Sequence, residues 1–265
     1  MATNGLRSCC FLVALTAVSF AASTAHGTAA ARNGACGGAL RVPILMYHRI
    51  NVVTKHTPAI SRRLTVAPAV FARQLAWLDR NGYRTITQGQ LLAAIGCRGA
   101  LPPKPIVLTF DDGYADVFFR ASTLIAHHGM HAIAYVITGR ISAGDPSFLT
   151  WPLLTALERR GIEIGSHTVS HRDLTTLSDR ELRMELLESR RVLERRLGHP
   201  IRWLAYPFGA YDARVVASAR RAGYRLAVTT RGGDLQDVHR PLELERLRVL
   251  DSTGAKGLAA MLAAA

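Results

Sequence analysis

From residue 42 onward the chain alternates between two hydrophobic rhythms. Short, nearly unbroken apolar runs predict buried strands: VPILMYH (42–48), PIVLTF (105–110), HAIAYVI (131–137), IEIGSH (162–167), IRWLAYPFG (201–209) and YRLAVTT (224–230). YRTIT (83–87) is a further strand candidate, and LERLRVL (244–250) a final one. Between them the apolar positions recur at helical spacing. In 67–82, Phe71, Leu75 and Leu78 share a face and Gly82 closes the helix. Residues 88–96, 114–129, 152–161 and 212–223 read likewise, the second of these stopped at Gly129. The helix over 178–198 opens with Ser178 followed three residues later by Glu181, a capping box. Helix and strand alternate about seven times with no long linker and no internal repeat. The pattern predicts one α/β domain on a mainly parallel sheet, either a barrel or doubly wound. In such folds chemistry gathers at the C-terminal ends of strands.

The first residues follow another logic. Arg7, an apolar run from Cys9 to about Ala22 and a small-residue exit form a secretory signal pattern; the run is short for a membrane span, so a retained anchor is the weaker reading. Cleavage after Ala25 or Gly27 fits, so residues 1–27 read as a signal peptide, 28–40 as a flexible lead-in and 41–265 as the working domain. The mature chain is expected in the periplasm or outside the cell. Cys9 and Cys10 leave with the signal. Cys36 and Cys97 remain, either as a disulfide or as two thiols. The chain carries 33 basic and 19 acidic residues, a formal charge of +14. That suits either polyanionic surroundings, including a peripheral place on the cell envelope, or a solvated arginine-rich surface. The arginines are dispersed, with no basic block interleaved with aromatics, so no nucleic-acid partner is read.

Three strand ends carry unusual polar residues. Asp111 and Asp112 stand side by side after PIVLTF, His167 and His171 follow IEIGS, and Pro207 and Gly209 follow IRWLAY. Adjacent carboxylates repel unless a cation or a shared proton relieves them. Each feature alone has an ordinary reading, an Asp-Asp-Gly turn or a hydrogen-bonded loop. Together they fit a catalytic metal site of two imidazoles and one carboxylate, with a second carboxylate left free as general base. The histidine pair could face one ion across a helical turn.

The motif TFDDG followed by HTVSH resembles the polysaccharide deacetylase family, over about residues 42–250. The resemblance implies a distorted (β/α) barrel of about seven strands and removal of N- or O-acetyl groups from sugar polymers. Carried onto this chain, Asp111 is the general base, and Asp112, His167 and His171 hold the metal, zinc before cobalt or nickel. Two family features are absent. The arginine two residues before the motif proline is here Ala205, and no Leu-x-His motif ends the chain. ILMYHRI and AYPFG resemble the secreted poly-N-acetylglucosamine deacetylase branch, which implies His48 as general acid; its other reading is a core histidine bonded to a carbonyl. Arg246 is the candidate replacement for the missing arginine.

The implied mechanism has His48, as imidazolium, protonating the leaving amine, with a backbone N–H near Phe208 at the oxyanion. Pro207, Phe208 and Gly209 form a wall of the sugar groove. Tyr47, Tyr206 and Tyr211 either stack on sugars or pack. His127, His128 and His131 read as helix C-terminal caps at the far end. The implied partner is an acetylated polysaccharide and the reaction is N-deacetylation, the alternatives being an O-acetyl esterase or a non-catalytic binder. A ferrous oxygenase shares the ligand types, but its usual antiparallel scaffold does not match this alternation.

Overall fold

The structure, a computed structural model, describes residues 1–2 and 38–265. The signal segment beyond Ala2, both of its cysteines and Cys36 therefore lie outside the described residues. No helix among the described residues is long and apolar enough to cross a membrane.

Seven parallel strands curl into a half-barrel: β1 (Ile44–Tyr47), β2 (Pro105–Phe110), β3 (Ala132–Val136), β4 (Ile162–Ser166), β5 (Trp203–Ala205), β6 (Leu226–Val228) and β7 (Leu247–Arg248). Their order across the sheet is β6-β5-β4-β3-β2-β1-β7, and Arg84–Thr85 adds a short parallel pairing on β2. The seam between β6 and β7 is bridged by the chain itself. Val228 pairs with Leu244, and the Arg246 N–H donates to the Arg231 carbonyl at 2.8 Å. β2 is buried at all six positions, as a strand covered on both faces must be.

The helices that cover the sheet are α1 (Pro68–Arg80), α2 (Gln88–Ile95), α3 (Ser122–His127), α4 (Trp151–Glu158), α5 (Asp179–Leu197), α6 (Ala213–Arg221) and α7 (Ala255–Ala264). The capping box at Ser178 and Glu181 starts α5, and a second one at Thr87 and Gln90 starts α2. On α5, Leu182, Leu186 and Leu193 are fully buried, each contributing about 1.5–3 kcal/mol of transfer free energy. Two cores result. The larger lies between helices and sheet; the smaller, with Val107, Ile133, Tyr135, Ala205 and Val228, fills the curl and is plugged by Leu91 and Ile95 of α2.

Several local expectations change. The end of the 28–40 lead-in is not loose: Ala39–Arg41 forms a strand antiparallel to Leu235–Asp237. The helix read over 114–129 begins as a π turn at Val117–Ala121 before α3. Short helices at Ala59–Arg63 and Thr138–Ser142, and α7, escaped the pattern because their apolar positions are too few or too uniform to show a face. As expected, His127 and His128 close α3, with His128 at its C-cap, although neither ring bonds a carbonyl among the described residues. His128 faces Asp79 at 3.7 Å, and His127 packs edge-on against His128.

Candidate active site

Strand ends deliver the chemistry to one mouth of the curl. Asp111 and Asp112 follow β2, His167 follows β4 and His48 follows β1. β3 lies between β2 and β4, so the carboxylate and imidazole strands are one strand apart rather than adjacent. A cavity of about 480 Å³ opens there, lined by His48, Asp111, Asp112, His167 and His171 among others.

The two aspartates divide. Asp111 is buried, and the Arg246 guanidinium donates to both of its oxygens, Nη1 to Oδ1 at 2.8 Å and Nη2 to Oδ2 at 2.7 Å. Burial alone would raise the Asp111 pKa; the charge and hydrogen bonds of Arg246 override it and hold the carboxyl well below the usual range. Arg246 is itself fully enclosed. Nε also reaches the Thr229 carbonyl at 2.7 Å and Nη1 reaches Thr109 Oγ1 at 3.0 Å, so every nitrogen of the buried guanidinium has a partner.

Asp112 turns the other way. Its Oδ1 lies 3.4 Å from His167 Nε2 and 3.5 Å from His171 Nε2, and the three ligand atoms fall within 4.8 Å of one another. His167 Nδ1 sits 2.7 Å from the Ala205 carbonyl, which can only accept, so Nδ1 carries a proton and donates it. In the neutral ring Nε2 then keeps a lone pair toward Asp112. Two imidazole nitrogens and a carboxylate oxygen facing one point suit a divalent ion. Burial would lower His167, but its hydrogen bond to Asp112 and the nearby carboxylates raise it; in His171 burial prevails and lowers it.

The histidine segment is an irregular loop, not the helical turn expected. Thr168 and His171 have φ of 66° and 63°, and Asp112 and Phe208 have 73° and 59°. Left-handed backbone costs a residue with a Cβ about 1 kcal/mol, so the surroundings must enforce it. They do. Glu185, on the inner face of α5, accepts from the N–H groups of Val169 and Ser170, both at 2.9 Å, and from the Ser170 hydroxyl. Thr168 takes up Ser166 Oγ through its N–H, and its own hydroxyl oxygen accepts from the His171 N–H. Phe208 is held by Thr230, whose hydroxyl donates to its carbonyl, and Gly209 beside it has no room for a Cβ, which would fall 2.2 Å from Thr230 Oγ1.

Other expected site residues fare differently. Phe208 stands at the cavity lip, 63% exposed, with its ring edge-on to His171 at 4.6 Å. Tyr206 and Pro207 are buried, and neither Pro207 nor Gly209 lines the cavity; Tyr206 donates to the Leu242 carbonyl and stacks on Tyr211. Pro207 and Gly209 therefore shape the wall from behind, while Tyr206, although buried, still lines the cavity as expected. Tyr47 is likewise core, its hydroxyl on Gln74. His48 lines the cavity with Nδ1 buried and unpartnered, and bonds no carbonyl. Burial lowers its pKa against the pull of Asp111 and Asp112, so it rests neutral, not as the imidazolium expected. The guanidinium missing at Ala205 comes from Arg246 on another segment, while the Ala205 carbonyl orients His167.

Three residues were missed. Glu185 carried a signal, a carboxylate in the apolar stripe of Leu182, Leu186 and Leu193. Tyr114, directly after the Asp-Asp-Gly triplet, lines the cavity, stacked on Phe148 and covered by the Arg49 guanidinium at 4.4 Å. Ile60, from the short helix before α1, lines the cavity as an exposed apolar side chain and had no signal in the sequence.

A parallel half-barrel with a carboxylate–imidazole cluster at its C-terminal mouth can hold a divalent ion suited to hydrolysis, and sequence comparison points the same way. The profile of the family described as Polysaccharide deacetylase matches residues 98–227. The Bacillus subtilis protein YxkH, provisionally named a polysaccharide deacetylase, is 30% identical over 219 residues, covering 83% of this chain and 74% of that one. The Streptococcus pyogenes deacetylase PplD, solved with acetate, superposes with a TM-score of 0.79 at 28% identity, over 84% of this chain and 98% of PplD. The poly-beta-1,6-N-acetyl-D-glucosamine N-deacetylase of Escherichia coli is 31% identical over 124 residues, which are 42% of this chain but 18% of that protein. The chain belongs to the polysaccharide deacetylase family.

Proposed function

We propose that this protein is a metal-dependent hydrolase that removes N-acetyl groups from an amino-sugar polymer of the poly-N-acetylglucosamine kind, outside the cell or in the periplasm. One observation carries the reading. Of two adjacent carboxylates, one converges with two imidazoles and the other is turned away and clamped by an arginine.

Asp112, His167 and His171 would hold the ion, with zinc preferred and cobalt or nickel as alternatives. When bound, it supplies a Lewis acid for water and for the acetyl carbonyl. Asp111, kept ionised by Arg246, retains a free lone pair on each oxygen and accepts a proton from the attacking water. The water oxygen bonds to the acetyl carbon, the carbon–nitrogen bond breaks, and acetate and a free amine result. The proton that Asp111 takes from the water passes within the cavity to the neutral His48, which gives it to the amine nitrogen as the carbon–nitrogen bond breaks. Phe208 and Tyr114 offer aromatic surface to the sugar at the lip.

Acetate release from N-acetylglucosamine oligomers tests this. EDTA should abolish it and zinc restore it. Asp111→Asn should keep its zinc and lose about 10²–10⁴-fold in kcat, the range of a general base. Retained turnover would remove Asp111 from that role. His48→Gln should lower kcat at unchanged zinc content; an emptied site would refute its part. Faster release from O-acetylated xylan than from the amide substrate would move the assignment to an esterase.

A further inference from the structure

The arginines around the cavity are unequally matched. Arg246 is paired with Asp111, Arg49 with Asp116 at 2.8 Å, and Arg231, beside the Phe208 lip, with Glu245 at 2.8 Å. Arg63 and Arg248 also line the cavity, and neither has a side-chain hydrogen bond, ion pair or ring contact among the described residues. Both are exposed.

They stand on the same side of the mouth. Arg248 closes β7, in register with Met46 of β1. Arg63 ends the short helix Ala59–Arg63, and its carbonyl accepts from the Asp251 N–H at 3.1 Å, which ties that helix to the turn after β7. The carboxylate nearest them in sequence, Asp251, takes the Ser252 N–H instead. The cavity wall holds no other acid than Asp111 and Asp112. Arg246 already matches the first, and the ion of the proposed site would match the second. Two guanidiniums therefore face the substrate space with nothing among the described residues to balance them. A guanidinium is a fork that suits carboxylate and phosphate oxygens, and unmatched positive charge at a cleft attracts such groups.

We propose that Arg63 and Arg248 form an anion subsite beside the deacetylation centre, so that the preferred substrate is an amino-sugar polymer bearing acidic substituents, carboxylate or phosphate, close to the acetamido group removed. The proposal rests on the N-deacetylase reading and narrows its substrate class. It also gives the protein's excess of basic residues a local use on one face of the site.

The test compares three probes on the zinc-loaded full chain: N-acetylchitotetraose, the same oligomer carboxymethylated at O6, and the same oligomer phosphorylated at O6. Affinity is measured by calorimetry and kcat/KM by acetate release. At low salt at least one acidic probe should exceed the neutral one about tenfold in both, the size of two exposed charge contacts. The advantage should shrink toward unity at high ionic strength, where exposed charges are screened. The double variant Arg63→Gln, Arg248→Gln should lose that ratio, whatever its rate on the neutral probe, and the Arg→Lys pair should restore part of it. The larger ratio identifies the anion. Equal ratios in wild type, or a ratio that survives the double substitution, overturn the proposal. No acetate from any probe would defeat the deacetylase reading separately, and the affinity ratio would still decide the arginines.

Discussion

The two mouths of the barrel are built by different rules. At the C-terminal mouth lie Asp112, Thr168, His171 and Phe208, four of the six non-glycine residues with positive φ among those described. Backbone there is bent to aim side chains, and hydrogen bonds from α5 and Thr230 hold the bends. At the other mouth α2 begins with a regular capping box, and its apolar face plugs the curl. Buried charge is also handled differently. Asp111 meets a full guanidinium, whereas Glu163, low on β4, meets only the Gln88 N–H at 2.7 Å. Burial accordingly pushes Glu163 up to about 7, with the Gln88 bond opposing, while Asp111 is held far down. The contrast teaches that the burial of Asp111 is fully compensated where ionisation is needed, whereas the half-buried Glu163 is left with little compensation where it is not.

Removing the guanidinium attacks the first half of that contrast. Arg246→Met leaves Asp111 enclosed and unpaired, and should destabilise the fold by about 3–5 kcal/mol. Asp111 contributes stability above its unfolded pKa near 4, lost as pH falls toward its lower folded value. In Arg246→Met burial dominates, so Asp111 rises and the acid limb of the activity profile should move to higher pH. Urea titrations and a pH–rate profile check both; an unmoved limb would mean that Asp111 is solvated rather than enclosed.

At the other mouth the sign reverses. Glu163 has a raised folded pKa, so its contribution is present below its unfolded value near 4.3 and lost as pH rises through about 7. Glu163→Gln should therefore stabilise the protein by about 3 kcal/mol at pH 8 and change little at pH 4. Thermal melts at the two pH values measure this, and equal Tm shifts would refute the unmet burial.

Between the mouths, Gly165 on β4 is opposed by Tyr135 on β3, and a Cβ there would fall 2.5 Å from the tyrosine ring. Gly165→Ala should cost about 1–3 kcal/mol as overpacking. It should not alter zinc content, since the loop that carries the histidines is held from α5; a lost zinc would show the interior and the site to be one unit.

How far these regions could be read in advance follows from the same contrast. The strands and the capped helices were legible because burial on both faces of a strand and one face of a helix imprints a period on the sequence. IEIGS and the Leu182, Leu186, Leu193 stripe are examples. The close approach of Asp112 to His167 and His171 was legible only as residue types at strand ends. The strained loop in place of a helical turn was not, because the positive φ of Thr168 and His171 is held in part by Glu185, which reaches the loop from α5. Pro207 looked like a groove residue by position and lies behind the wall, whereas Tyr206 lines the cavity but is anchored from within by the Leu242 carbonyl and Tyr211.

The sequence by itself determined the alternation of strand and helix, and the residue types that gather at one end of the sheet. Periodicity and chemical identity are local properties, and they survive in the linear order. The family resemblance implied which acid faces the imidazoles, but only tertiary structure shows the geometry that separates the two and clamps the other. Tertiary structure also decided that Arg246 supplies the guanidinium absent at Ala205, and that Arg63 and Arg248 stand unmatched on one side of the mouth. These depend on side chains far apart in the chain, 135 residues for Arg246 and Asp111, brought together by a curl that no local pattern encodes.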